Sequence, residues 1–379
     1  MFVIVETTDG TGNNARDFEP KFDPEKDIDQ SITNVLKLHL LAGGDINNRR
    51  NDVPGQICLY KRGLGGESES KFISTLNLVK GDLSQQTIPM REMLEKVYEK
   101  GDKLYIIGYS RGSASARQFV SELDEVGLLT ASNERVEKPP VEFLGCFETV
   151  SVQVEDNFID IMKTKRKKEI TKASVVGEIG GKLSSIVKTA VHNVALNDNR
   201  MRVKVCYPPV FMDSNDDRVH EAWFAGEHGD IGGTYYTKGM PDSSCKYIQE
   251  WMEETGLSFI QPEDIHAESL QIDEHPEVSI DKMDLDIKPN PKDKLHLAGE
   301  QITKPSYRPV VTVTNEEIVE GGTVRIHVSV LDHMEAMEEE KTPYVINPEI
   351  KKANVVVVGS LDKELEAETK RFQELLERY

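Results

Sequence analysis

The segment 104–117, LYIIGYSRGSASAR, runs from a β-rich apolar stretch through Gly108-Tyr109-Ser110-Arg111-Gly112 into small, helix-compatible residues. This is the setting a nucleophilic serine requires. The Ser sits on a strained strand-to-helix turn, and flanking glycines remove the Cβ atoms that would clash there. The bland alternative is a glycine-flanked helix N-cap. A serine hydroxyl attacks usefully only when a base takes its proton and an acid holds that base. Of the nine histidines, two stand where a base is expected. His228 lies in WFAGEHGDIGG, a short strand running into a Gly-rich loop, which would lift an imidazole to the edge of a sheet. His192 lies in VHNVALND, which reads as helix and suits a core histidine better, so it ranks second. Glu148 ends the apolar stretch FLGCFETV, the next strand after the serine turn, and a carboxylate in that setting needs a partner. It is the first choice of acid, with Asp198 and Asp230 as alternatives.

Acyl transfer also needs two preorganised donors for the oxyanion. One is the N–H after the nucleophile, that of Arg111. The second is expected from DGTGNN at 9–14, whose glycines let the N–H of Gly10 or Thr11 face a ligand. That loop could instead cradle a phosphate, though it lacks the lysine of a P-loop. GLGG at 63–66 is a second glycine turn. Asp9, His228 and Asp230 offer a metal-ligand set, and with it a metal-dependent phosphoesterase as competing chemistry, but the His-x-Asp spacing is short and common. The serine reading calls for no metal and no cofactor.

These residues must be positioned by an alternation of short apolar runs and amphipathic segments, the pattern of a parallel sheet covered by helices. Strands are expected at 2–6, 56–61, 103–108, 142–147, 202–207 and 222–225, and helices at 31–41, 86–100 and 113–125, the last closed by Gly127. Two insertions stand out. One, at 151–190, contains the basic run Lys163-Thr164-Lys165-Arg166-Lys167-Lys168, a solvated helix face or a lid whose cations meet an anionic head group. The other, at 262–309, is acidic and proline-punctuated and reads as a surface excursion or linker, not core. Beyond it, 310–313 and 323–329 are further strand candidates, and 361–379 is an amphipathic helix packed on the domain. The expected organisation is a single α/β domain over 1–379.

The 379 residues carry a formal charge of −20, with 38% hydrophobic and 30% charged residues, a composition of soluble globular chains. Nucleic acid is excluded as the main partner, since phosphate backbones need clustered cations. No apolar run approaches the roughly 18 residues of a transmembrane helix. The N-terminus lacks the basic and long apolar regions of a secretory signal, so a cytoplasmic location is expected. Cys58, Cys146, Cys206 and Cys245 are far apart and read as reduced thiols.

Eight blocks then come in a familiar order: Asp9-Gly10-Thr11-Gly12-Asn13, 33–35, 60–65, 108–112 with Ala116-Arg117, 143–150, 192–200, 223–233, and 327–330 with 344–348. Together they span most of the chain. They resemble the α/β-hydrolase-like domain family that includes the type VI secretion phospholipase effectors. The resemblance implies an α/β-hydrolase-like fold, a mostly parallel sheet with helices on both faces and insertions. It also implies ester hydrolysis by Ser110, with an acid after the following strand and a histidine base downstream. The implied partner is a small-molecule or lipid ester, phospholipid acyl chains being favoured only through the family. Peripheral membrane contact and delivery by a specialised secretion system are compatible with it. The chain departs from the family in having Glu148 where Asp is usual, Asn193 and Asn199 in the His192 block, and Gly229 where Ser is usual. A glutamate acid needs a shifted backbone to absorb its extra methylene. The departure at Glu148 also keeps open a non-catalytic, hydrolase-like binding module.

Overall fold

The computed structural model describes residues 2–9, 21–23, 28–63, 84–150, 183–198, 212–273, 275–296, 308–314, 317–319, 321–341, 344 and 346–378. Its centre is a sheet of eight parallel strands, β1 (Val3–Thr8), β2 (Gln56–Lys61), β3 (Lys103–Tyr109), β4 (Val141–Phe147), β5 (Val187–Ala195), β6 (Val219–Phe224), β7 (Thr323–His327) and β8 (Asn354–Val358). Their order is β2-β1-β3-β4-β5-β6-β7-β8. Strands covered on both faces are apolar without alternation, which is why LYII of β3 and FLGCF of β4 read as continuous runs. Helices α1 (Asn34–Leu41), α2 (Ser84–Leu94), α3 (Arg111–Val126), α4 (His228–Gly232), α5 (Gly239–Glu254), α6 (Val328–Glu340) and α7 (Glu366–Leu376) accompany it.

Successive side chains of a strand point to opposite faces. In β3, Leu104 and Ile106 therefore pack with Met90, Leu94, Phe119 and Val120 of α2 and α3. Tyr105, Ile107 and Tyr109 pack with Val35, Leu36, Tyr247 and Ile248 of α1 and α5. A third cluster joins Val324, Ile326, Val355 and Val357 of β7 and β8 to Met334 of α6 and to Phe372 and Leu375 of α7. Each such side chain contributes roughly 1.5–3 kcal/mol on burial. Among the described residues, no helix is long and apolar enough to cross a membrane.

Because all strands run the same way, their carboxyl ends share one edge of the sheet. The order reverses at β1, which leaves a crevice beyond the ends of β1 and β3, the place where open α/β sheets hold ligands.

The strands expected at 2–6, 56–61, 103–108 and 142–147 are present within one or two residues, and 222–225 falls on the end of β6. The expected strand 202–207, the basic run 163–168 and Cys206 lie outside the described residues. Cys58, Cys146 and Cys245 are buried and form no disulfide among the described residues. The segment around His192 is a central strand, not a helix. Thr189, His192 and Asn193 interrupt its apolar pattern, and the last two are buried and hydrogen-bonded, so the residues at 183–190 belong to the sheet and its approach, not to an insertion. Strand β8, carried by VVVV, adds an edge absent from the sequence expectation. The residues at 312–314 pair with 317–319 in a separate antiparallel ribbon.

The acidic segment at 262–309 is corrected more sharply. Ile265, Leu270, Ile272, Ile280 and Leu285 are buried in the core beside α1 and α5, and His296 and Arg308 are buried too. Short 3-10 turns let single apolar residues turn inward between exposed acids, a pattern with no helical or strand period to reveal it.

Candidate active site

Ser110 joins β3 to α3 with φ 58° and ψ −121°, a strained conformation for a residue with a Cβ. The two glycines around it are sterically required. A Cβ on Gly108 would lie 2.4 Å from the Gly112 carbonyl oxygen, and one on Gly112 would lie 2.3 Å from that of Thr8 at the end of β1. The turn is pinned to β4: the Ser110 N–H donates to the Phe147 carbonyl at 2.9 Å, and the Ser113 hydroxyl donates to the Gly108 and Phe147 carbonyls at 2.6 and 3.1 Å. Arg111 opens the sixteen-residue helix α3, so its N–H belongs to the positive end of the helix dipole.

His228 is the first residue of α4, four residues beyond the end of β6. Its place is set by a reciprocal cap. The Glu227 carboxylate accepts from the Gly229 N–H at 2.7 Å, and the Asp230 carboxylate accepts from the Glu227 N–H at 3.0 Å. Tyr235 donates to Glu227 at 2.6 Å, and Tyr109 donates to the His228 carbonyl at 3.2 Å. So held, His228 Nε2 lies 2.9 Å from Ser110 Oγ.

Glu148 follows β4 with φ 48°, in the left-handed region. Its carboxylate is fully buried. Oε2 accepts from the Ala195 N–H at 2.7 Å, while Oε1 lies 3.9 Å from His228 Nδ1 and 2.5 Å from Arg308 Nη2. Burial works against its charge, but the Arg308 cation and then His228 outweigh that and hold the carboxyl well below the usual glutamate range. Arg308 Nη2 also meets Asp198 Oδ2 at 2.6 Å, beyond the end of β5.

The structure thus brings Ser110, His228, Glu148 and Asp198 together at the ends of β3, β6, β4 and β5. The other candidates go elsewhere. His192 Nε2 accepts from the Thr149 N–H at 3.1 Å and its Nδ1 faces Glu221 at 2.8 Å, so it braces the Glu148 loop and does not reach Ser110. Asp230 caps α4 and meets His296 Nδ1 at 2.7 Å. Asp9, at the end of β1, accepts from the Thr33 hydroxyl at 2.8 Å and from Tyr60 at 2.7 Å. Asp9, His228 and Asp230 therefore form no metal-ligand cluster among the described residues. The donors that do converge, within 4.8 Å of one another, are Glu148, Asp198 and His228, and the Arg308 guanidinium already contacts both carboxylates. Gly10, Thr11 and 64–66 lie outside the described residues. Sequence reasoning missed Arg308, Tyr109 and His296. Arg308, in SYRPVV, carries no local signal that separates a buried arginine from an exposed one.

A family model described as the type VI secretion system phospholipase effector Tle1-like catalytic domain matches residues 3–139 and 133–255. The chain belongs to that family. The Tle1-like match holds Ser110, Glu148, Asp198 and His228, while Arg308 lies beyond it. An uncharacterised protein of Saccharomyces cerevisiae, YEL023C, is 26% identical over 216 residues, which cover 48% of this chain and 31% of the yeast protein. A crystal structure of an uncharacterised protein from Pseudomonas aeruginosa is similar at a TM-score of 0.41 and 17% identity, over 76% of this chain and 49% of that one. The Tle1 effector, in its structure bound to the VgrG spike of the type VI secretion system, is similar at a TM-score of 0.38 and 20% identity, over 62% of this chain and 51% of that one. The chain spans about a third of the yeast relative and about half of each of these two solved chains.

Proposed function

We propose that this chain is a lipase/esterase-type serine hydrolase that cleaves a carboxylic ester through an acyl-enzyme. The observation that carries the reading is the 2.9 Å approach of His228 Nε2 to Ser110 Oγ on a strained strand-to-helix turn. As the Oγ–carbonyl bond forms, the hydroxyl proton passes to His228 Nε2. The resulting imidazolium is stabilised by Glu148, which must shorten its 3.9 Å separation to hydrogen-bond with Nδ1. The tetrahedral oxyanion is held by the Arg111 N–H at the start of α3. Collapse breaks the bond to the alcohol, which takes the proton back from His228. Water then repeats the cycle and releases the acid.

Membership in a phospholipase effector family points to a lipid acyl ester, and to a phospholipid within that class. The test is a fluorophosphonate probe on wild type, Ser110→Ala and His228→Ala, followed by turnover on a panel of short-chain esters and phospholipid vesicles. Labelling of wild type alone, with hydrolysis of lipid esters, is the expected result. Equal labelling of wild type and Ser110→Ala sinks the proposal. Labelling of Ser110 without turnover on any ester points instead to a hydrolase-like binding module.

A further inference from the structure

We infer that Arg308 and Asp198 form a charge-balancing pair that sets the basicity of His228 and the place of Glu148. The inference rests on the serine-hydrolase reading and extends it to residues that do not touch the reacting atoms. Oε1 of Glu148 is shared between two partners: Arg308 Nη2 at 2.5 Å and His228 Nδ1 at 3.9 Å. The same Nη2 holds Asp198 at 2.6 Å, and Asp198 offers a carboxylate oxygen within 4.8 Å of both Glu148 and His228. Glu148, Asp198 and Arg308 are all nearly or fully buried, so their charges act on His228 with little screening by water.

The charges of the trio are decisive. Two carboxylates alone would place two negative charges beside the imidazole and favour its protonated form, which cannot accept the Ser110 proton. Arg308 returns the total to a single negative charge, that of an ordinary triad acid. Its position is built into the fold. The Arg308 N–H donates to the Asp198 carbonyl at 3.4 Å, and Asn347 Nδ2 donates to the Arg308 carbonyl at 3.0 Å and to the Leu196 carbonyl at 2.8 Å. The cation is thus tied to the segment that follows β5 and carries Asp198.

Among the described residues of the elements packed on it, the other ionisable groups around His228 are engaged elsewhere. From β3 come Ser110, the nucleophile, and Tyr109, bonded to the His228 carbonyl. On its own segment, Glu227 binds Gly229 and Tyr235, and Asp230 binds His296, which also meets Asp29. From α1 and α5, which also pack on α4, Lys37 and Asp242 pair with each other at 2.6 Å, and His39 Nε2 faces the Asp45 backbone carbonyl at 3.1 Å.

The experiment is the pH dependence of fluorophosphonate labelling from about pH 5 to 10, in wild type, Asp198→Asn, Arg308→Met, Arg308→Lys and the Asp198→Asn/Arg308→Met double variant. In labelling, Ser110 Oγ bonds to phosphorus, fluoride leaves, and the hydroxyl proton passes to His228. The acid limb of the rate therefore reports the proton on His228 without any substrate being known. Asp198→Asn should move that limb down by about one pH unit and Arg308→Met should move it up by about one. The double variant should return to the wild-type limb, and Arg308→Lys should stay near it. If Arg308→Met does not fold, Asp198→Asn against the double variant carries the same contrast. A limb that stays put in Asp198→Asn, or a double variant that fails to restore it, overturns the inference even if overall rates fall, since loss of packing alone lowers rates without moving the limb. Absence of labelling in wild type would overturn the serine reading itself.

Discussion

Nε2 of His192 accepts a hydrogen bond from the backbone N–H of Thr149 at 3.1 Å, while its Nδ1 faces its register partner Glu221 on β6 at 2.8 Å. An imidazole fully buried between β4 and β6 thereby fixes the residue next to Glu148. His192→Ala should leave the Thr149 N–H unsatisfied beside a cavity and destabilise the chain by about 2 kcal/mol or more. Urea unfolding measures this. Fluorophosphonate labelling of Ser110 should persist in His192→Ala and vanish in His228→Ala; loss in both would mean that labelling also requires the brace on the Glu148 loop.

The backbone of Ser110 stores strain that a glycine would not. Ser110→Gly and Ser110→Ala both remove the hydroxyl and its bond to His228, so their difference isolates the conformational cost. At φ 58° and ψ −121°, Ser110→Gly should be the more stable of the two by about 1 kcal/mol, with labelling abolished in both. Equal stabilities would mean that the turn relaxes in solution.

Gly112 sets the distance between α3 and β1. A Cβ there would sit 2.3 Å from the Thr8 carbonyl oxygen, and that atom is backbone, which cannot swing aside. Gly112→Ala should cost about 1–3 kcal/mol and slow labelling, because Ser110 is displaced with the helix. Unchanged stability and labelling would contradict the close packing.

Glu148 keeps its charge far into acid, its carboxyl held below the ordinary value by Arg308 and His228 despite burial. Its contribution to stability is therefore complete above the ordinary glutamate value of 4.5 and is lost only as pH falls through the lower folded value. Glu148→Gln should remove that acid-side dependence, measured by urea unfolding below pH 5. It should also lower ester turnover on the order of 10²- to 10⁴-fold. Near wild-type turnover in Glu148→Gln would leave Asp198 as the acid.

His296 sits between two carboxylates, Asp230 at 2.7 Å on Nδ1 and Asp29 at 3.0 Å on Nε2, with its ring stacked on Tyr235 at 3.6 Å. Burial opposes its charge, but the two acids prevail and raise its pKa above 6.5. The stabilisation is thus fully present below about pH 6.5 and disappears as pH rises through the raised folded value. Since Asp230 caps α4, alkaline pH should loosen the helix that presents His228. His296→Gln should flatten the fall in stability between about pH 7 and 10. An unchanged pH slope would rule out this role.

Legibility followed the physics of each element. The serine turn was readable because one local stretch contains its strand, its glycines and its helix, and steric need ties all three to the same few residues. His228 was readable for the same reason, as a histidine on a Gly-rich turn after a strand. Strand β5 was not: a central strand that carries Thr189, His192 and Asn193 looks like neither an alternating nor an apolar run, and the partners of its buried polar side chains come from elsewhere in the chain, Thr149 and Glu221 for His192 and Ser244 of α5 for Asn193. The 262–309 segment misled for the opposite reason, since its mean composition is acidic while its few apolar residues do the packing.

By itself, then, the sequence determined the parallel α/β architecture and picked out Ser110, His228 and Glu148, which the fold brings to one sheet edge, because these depend on contiguous pattern and local sterics. Only the tertiary structure decided that His192 is a brace, that Asp230 is a cap answered by His296, and that Asp198 joins Glu148 through an arginine 110 residues further on. Those are relations between charges brought to one sheet edge by different strands. Coulomb interactions act over distance in space, and no spacing along the chain encodes it.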